Sequence, residues 1–125
     1  MLVVQYIILS HYFTEGPAKG SCCITDLSIY DDAGKITVTI EGKGSYTYPS
    51  NYGALDCKAH DQNKEPDCGL VAAADGQKSD HCESEWCFID RSKPNCENLK
   101  VETSGYVTGQ YYSYTYCGNP DPFSE

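Results

Sequence analysis

Cysteine and histidine are the residue types of this chain whose spacing could support metal or thiol chemistry. Cys57 and His60 are separated by two residues, and His81, Cys82 and Cys87 follow further along the chain. These are ligand types that zinc accepts. Structural zinc sites, however, show two tight ligand pairs. Four residues separate Cys82 from Cys87, so these two cysteines do not form such a pair. A cysteine nucleophile is also disfavoured, because a catalytic thiol must stay reduced. We therefore predict no catalytic residue, no metal site and no cofactor.

The number of cysteines favours a structural role for them. The chain has 125 residues and eight cysteines, an even number, which is typical of a disulfide framework formed in an oxidising compartment. Each disulfide contributes about 2–4 kcal/mol, which would offset the few aliphatic residues of the C-terminal half. Their connectivity is left open by the sequence. The cysteines predicted to form disulfides are Cys22, Cys23, Cys57, Cys68, Cys82, Cys87, Cys96 and Cys117.

Tyrosine is the second residue type that could form a site. Eleven tyrosines and one tryptophan offer aromatic faces on which a sugar ring can stack. The competing interpretation is that tyrosine replaces leucine in the core and on the sheet surface. Under the sugar-binding hypothesis, the residues predicted to stack on the ring are Trp86, Tyr111, Tyr112 and Tyr114.

Charge excludes one class of partner. Eighteen acidic residues against nine basic ones give a net charge of −9, so no basic stripe is present to neutralise the phosphates of a nucleic acid. Carboxylate pairs such as Asp56 with Asp61 are interpreted as solvated surface, because sequence spacing does not place two carboxylates across a sugar cleft. No Asn-x-Ser/Thr sequon occurs, which leaves O-linked glycans as the form of glycosylation still open.

The elements that position these residues begin with an apolar N-terminal segment, LVVQYIILSHYF. It is shorter than the roughly 20 residues that span a bilayer, so we predict no transmembrane segment. A signal peptide is the alternative, although no basic n-region follows Met1. Valine, isoleucine and tyrosine favour a strand, and both of its faces are apolar, so it requires cover on both sides. The residues predicted to form this assembly strand are Leu2, Val3, Val4, Tyr6, Ile7, Ile8, Leu9, Tyr12 and Phe13.

The middle of the chain predicts a β-hairpin over residues 24–48. Apolar residues alternate on either side of a turn at 31–35, which Asp and Gly favour. A second turn at 42–44 precedes a strand at 45–48, and a strand over 111–116 closes the domain. The residues assigned to the buried face of the hairpin are Leu27, Ile29, Ile36, Val38 and Ile40.

Residues 52–118 resemble a six-cysteine module of secreted and surface proteins predicted from unicellular algae and related protists. The resemblance is carried by CKAHD at 57–61, PDC at 66–68, WCFID at 86–90, Cys96, and YYSY at 111–114 before Cys117-Gly118. Proline usually follows the WCFID core in this module, whereas Arg91 stands there in this chain. The module has no established activity, so the resemblance implies an extracellular, disulfide-bonded domain.

These observations predict a mainly β fold, a small disulfide-rich antiparallel sheet or sandwich with a loop-rich cysteine module. Residues 1–20 form the apolar strand and a hinge linker, 21–118 a single disulfide-bonded domain, and 119–125 a tail.

The favoured hypothesis for function is a non-enzymatic extracellular or cell-surface protein that assembles into a filament or surface layer. Its partners are copies of itself, each receiving the N-terminal strand of a neighbour by β-strand addition. The alternative is a carbohydrate-binding module of a cell coat, with exposed tyrosines and Trp86 contacting a polysaccharide or an O-linked glycan. A secreted hydrolase is a third, weaker hypothesis.

Overall fold

The fold is mainly β, as predicted, in a computed structural model that describes residues 19–69 and 80–120. Within these ranges five short strands form two separate antiparallel sheets, and the helical segments are two short 3-10 turns. None of the helical segments described has the length and apolar character needed to cross a membrane. The predicted assembly strand, most of the linker and residues 121–125 of the tail lie outside the described residues.

The first sheet is a hairpin of β1 (Ile36–Ile40) and β2 (Gly44–Tyr48). Its exposed face carries hydroxyl groups that pair across the strands, with Thr37 Oγ1 2.8 Å from Thr47 Oγ1. The alternation expected of a half-buried strand is confirmed in β1. The β1 residues that face the core are Ile36, Val38 and Ile40.

The turn at residues 31–35 forms as predicted, but it does not connect two strands. Asp31 Oδ1 accepts hydrogen bonds from the backbone N–H groups of Ala33 and Lys35, both at 2.9 Å. Gly34 takes the positive φ of 77° that the turn requires. The turn that does connect β1 to β2 covers residues 41–43, close to the second turn predicted at 42–44.

The strand predicted at the start of this hairpin does not form. The Asp26 side chain accepts the N–H of Ser28 at 3.0 Å, and Tyr30 N–H bonds to the Leu27 carbonyl at 3.0 Å. Such local side-chain hydrogen bonds compete with strand pairing. Leu27 is consequently 38% exposed, so the prediction that it shares the buried face of β1 is wrong.

The second sheet has the order β3-β5-β4, with β3 (Cys87–Phe88), β4 (Glu102–Thr103) and β5 (Tyr111–Ser113). The strand predicted over 111–116 is shorter than expected. It ends at Ser113, whose hydroxyl accepts the N–H of Tyr116 at 2.9 Å and so favours the 3-10 turn Thr115–Cys117.

Four disulfides include all eight cysteines, as predicted: Cys22–Cys96, Cys23–Cys87, Cys57–Cys117 and Cys68–Cys82. The adjacent Cys22 and Cys23 bond to different segments, which fixes their backbone at two points. The cysteines of the zinc alternative lie in three different disulfides, so their sulfur atoms are not available as thiolate ligands. The Sγ atoms of Cys23, Cys57 and Cys87 lie within 4.8 Å of one another, which places two of these disulfides side by side.

Tyrosine replaces aliphatic residues in much of the remaining core. Tyr30, Tyr48, Tyr52 and Tyr114 are buried, and the rings of Tyr48 and Tyr52 stack with centroids 4.3 Å apart. The hydroxyl groups of Tyr30 and Tyr48 donate to the backbone carbonyls of Tyr52 and Glu65. Buried tyrosines require such partners, and here the surrounding loops supply them.

Candidate functional site

An aromatic cavity of about 230 Å³ lies beside the second sheet. Its polar lining consists of Asp61, Asp67, His81, Ser104 and the backbone of Gly105. A largely aromatic pocket with a few polar groups is the usual form of a small-molecule site. The aromatic side chains that line it are Tyr52, Trp86, Phe88, Tyr106, Tyr112 and Tyr114.

Backbone pairing brings Trp86 to the loop that carries Asp61. Trp86 N–H donates to the Lys58 carbonyl at 3.0 Å, and Lys58 N–H donates back to the Trp86 carbonyl at 3.3 Å. The strand β3 continues directly from Trp86, and its Phe88 pairs with Tyr112 of β5. Three aromatic side chains of the cavity are therefore positioned by one short sheet.

Gly53 allows Tyr52 to pack against the same sheet. Phe88 N–H donates to the Gly53 carbonyl at 2.7 Å, and Gly53 has a φ of 85°. A Cβ atom at this position would lie 2.4 Å from two ring carbons of Phe88. The close approach of the backbone to Phe88 therefore requires glycine.

The Cys68–Cys82 disulfide joins two further walls of the cavity. Cys68 follows Asp67, and Cys82 follows His81 in the 3-10 turn Asp80–Glu83. The covalent link thus keeps the Asp67 and His81 side chains at the same cavity.

Asp61 is half-buried in the cavity wall, so its interpretation as solvated surface is wrong. Burial raises the pKa of its carboxyl group, and this effect exceeds the lowering by the Tyr52 hydroxyl, His81, Trp86 and Lys64. The Tyr52 hydroxyl donates a hydrogen bond to Asp61 Oδ1. The Trp86 indole is a second, weaker donor to this carboxylate.

Asp67 has the opposite electrostatic environment. Burial acts to raise its pKa, but hydrogen bonds from Lys43 Nζ at 2.7 Å and the Tyr106 hydroxyl at 2.9 Å outweigh it and lower the pKa. Both carboxylate oxygens of Asp67 are thereby engaged. Asp61 is consequently the carboxylate of the cavity with the greater capacity to bind a ligand.

The indole N–H of Trp86 is buried and has no hydrogen-bond partner among the described residues. It is directed at the Asp61 carboxylate as a donor that lowers the pKa of that group, in a geometry short of a full hydrogen bond. An unsatisfied buried donor costs about 1–3 kcal/mol. An acceptor atom of a bound molecule would relieve this cost.

His60 supports Trp86 from behind. The two rings meet edge to face with centroids 5.1 Å apart, and His60 Nε2 lies 3.0 Å from the Asp56 carbonyl oxygen. Because a carbonyl only accepts, Nε2 carries the proton. Burial lowers the pKa of His60, which keeps the ring neutral. Its role is to pack against the indole.

The residues predicted to stack on a sugar divide between the cavity and the surface. Trp86 and Tyr114 are only 4% and 3% exposed, so the prediction of an exposed platform is wrong for these two. Together with the half-buried Tyr112 they line the cavity. Tyr111 points elsewhere because neighbours in a strand face opposite ways, and it lies under the guanidinium of Arg91 at 5.5 Å.

No protein-family model, curated protein or solved structure matches the chain. The resemblance of residues 52–118 to a six-cysteine surface module stays a prediction.

Proposed function

We propose that this protein is a non-catalytic, extracellular binding module whose cavity holds a single sugar unit. The supporting observation is the combination of aromatic walls with an under-used carboxylate and an unpaired indole N–H. A sugar ring presents C–H groups that pack on aromatic faces and hydroxyl groups that both donate and accept hydrogen bonds. Asp61 would accept from one hydroxyl, and Trp86 Nε1 would donate to another.

The size of the cavity limits the ligand. About 230 Å³ is below the roughly 300–1,000 Å³ of typical small-molecule pockets. One ring at a chain end or a free monosaccharide suits this space better than an extended oligosaccharide.

The extracellular location is supported by the four disulfides. Disulfides form and persist in oxidising compartments and are rare in the cytosol. The net charge of −9 favours solubility in such a medium.

Two neighbouring tyrosines provide the test of sugar binding. Tyr112 lines the cavity, whereas Tyr111, the adjacent residue of β5, does not. Tyr112→Ala should weaken sugar binding by about 2- to 10-fold, because an aromatic contact contributes about 0.5–1.5 kcal/mol. Tyr111→Ala should leave the affinity unchanged. Calorimetric titration with monosaccharides measures both, and equal effects of the two substitutions would contradict the cavity as the binding site.

Assembly by strand donation is a second candidate, supported by the β1–β2 hairpin. Within the described residues no third strand pairs with this hairpin, so one edge of β1 and one edge of β2 have no partner strand there. Open edges accept further strands, and an isolated two-stranded sheet is only marginally stable. The apolar segment 2–13 has the composition of a strand that would fill such an edge in a neighbouring copy.

Molecular mass in solution tests the assembly. We expect the intact protein to form polymers and a variant lacking residues 1–16 to be a monomer that binds a synthetic LVVQYIILSHYF peptide. Ile7→Asp with Ile8→Asp should act like the deletion, because buried charges would lack partners. A monodisperse intact monomer at high concentration would contradict strand donation and leave the cavity proposal unaffected.

A further inference from the structure

We propose that the cavity selects a sugar with a free ammonium group, an amino sugar, over neutral and N-acetylated sugars. This inference rests on the proposed sugar-binding function and specifies the chemical class of its ligand. It is carried by the charges of the cavity wall and by the unpaired indole N–H.

Among the described residues, the ionisable wall groups besides the tyrosines are two carboxylates and one imidazole, that of His81. Asp61 and Asp67 line the cavity, and no lysine or arginine does so among the described residues. Lys43 already compensates Asp67 through its 2.7 Å ion pair. Asp61 makes no ion pair within the described residues, although His81 and Lys64 are near enough to lower its pKa, and it lies in a chain with a net charge of −9.

An ammonium group satisfies Asp61 better than a hydroxyl group does. Hydrogen bonds between charged partners are roughly twice as strong as neutral ones. A positive charge within about 4–6 Å also favours the ionised form of a carboxylate that burial disfavours. N-acetylation removes this charge and adds bulk to a cavity of about 230 Å³.

The aromatic walls favour the same ligand. The rings of Tyr52 and Tyr112 both meet the Trp86 ring edge to face, with centroids 5.3 and 6.1 Å apart, so a cation held in the cavity by Asp61 would lie among several aromatic rings. Cations are attracted to aromatic faces within about 6 Å, most strongly to tryptophan. The rings therefore reinforce the selectivity that Asp61 provides.

The Trp86 N–H distinguishes an amino sugar from a simple amine. This buried donor has no full hydrogen bond among the described residues, so an acceptor atom of the ligand would satisfy it. A hydroxyl or ring oxygen of a sugar is such an acceptor, and an alkylammonium ion has none. The ligand must therefore combine a cationic donor with an oxygen acceptor on one ring.

Calorimetric titration at pH 6.5 with glucosamine, glucose, N-acetylglucosamine and tetramethylammonium tests the proposal. We expect glucosamine to bind at least tenfold more tightly than the other three. Equal binding of glucose and glucosamine would overturn the ammonium selectivity and leave sugar binding intact. Tetramethylammonium binding as tightly as glucosamine would overturn the requirement for a sugar. Absence of binding by every sugar would overturn both this inference and the proposed function.

The substitution Asp61→Asn tests whether Asp61 provides the selectivity for the ammonium group. The asparagine keeps an oxygen acceptor for the Tyr52 hydroxyl and removes the charge. We expect the preference for glucosamine over glucose to fall to less than about twofold. Asp32→Asn removes the same charge from an exposed turn and should leave the preference unchanged. A preference that survives Asp61→Asn, in protein with four intact disulfides, would overturn the role of Asp61.

Discussion

Asp61 lies in the cavity wall, where it accepts a hydrogen bond from the Tyr52 hydroxyl and where burial raises its pKa. The groups that face it are Tyr52, Trp86, His81 and Lys64, and their combined effect does not restore the ordinary value of 3.8. A carboxyl group with a raised pKa in the folded state favours folding while it is protonated. Its contribution is fully present below pH 3.8 and is lost as the pH rises through the folded-state pKa. The contribution of Asp61 to stability is therefore smaller at neutral pH than below pH 3.8.

We accordingly expect Asp61→Asn to raise the melting temperature at pH 7. The shift should be a few degrees, since about 1 kcal/mol corresponds to roughly 4 °C for a domain of this size. Below pH 3.8 the difference from wild type should vanish, because both side chains are then neutral. Circular dichroism melts at pH 7 and pH 3 measure the two differences. A variant less stable than wild type at pH 7 would show that the charge is stabilised by the surrounding groups.

The contact between Gly53 and Phe88 joins the Tyr52 loop to β3. Gly53→Ala places a methyl group 2.4 Å from the Phe88 ring at a φ of 85°. Overpacking costs about 1–3 kcal/mol and the left-handed conformation roughly 1–2 kcal/mol, so we expect a loss of about 2–5 kcal/mol in the free energy of unfolding.

Gly42→Ala is the matched control for this substitution. Its φ is 79°, but nothing lies within 4 Å of the added carbon, so it measures the conformational cost alone. Urea unfolding of both variants with disulfides intact separates the two effects. Equal losses would mean that Phe88 moves aside without cost.

Elements that depend on residues close together in the sequence were predictable, whereas the cavity was not. The alternation in β1 and the Asp31 turn depend on neighbouring residues, and an even cysteine count suffices to predict disulfides. The strand predicted before the turn does not form, because the Asp26 side chain accepts a local hydrogen bond from the Ser28 N–H. The cavity depends on contacts between distant segments, such as Lys58 with Trp86. No short motif joins these segments, so Asp61 looked like a surface residue.

For the whole molecule, the disulfides divide into two groups by position. Three of them contribute to one buried cluster with Ile89, and the fourth, Cys68–Cys82, connects two walls of the cavity. The larger group fixes the N-terminal cysteine pair to the second sheet and its surroundings. The single disulfide is therefore the covalent link whose removal should affect the cavity most directly.

Replacing Cys68 and Cys82 together by alanine should lower stability by about 3 kcal/mol, since the loop spans 14 residues. The other three disulfides should keep the domain folded. Sugar affinity should nevertheless fall, because Asp67 and His81 lose the link that holds them at one cavity.

Replacing Cys22 and Cys96 together is the control. That loop spans 74 residues, so the expected loss is larger, about 4–5 kcal/mol, without a change at the cavity wall. Urea unfolding and calorimetry on both variants, at a temperature where both are folded, therefore separate stability from binding. If affinity followed stability in the two variants, the specific role of Cys68–Cys82 at the cavity would be disproved.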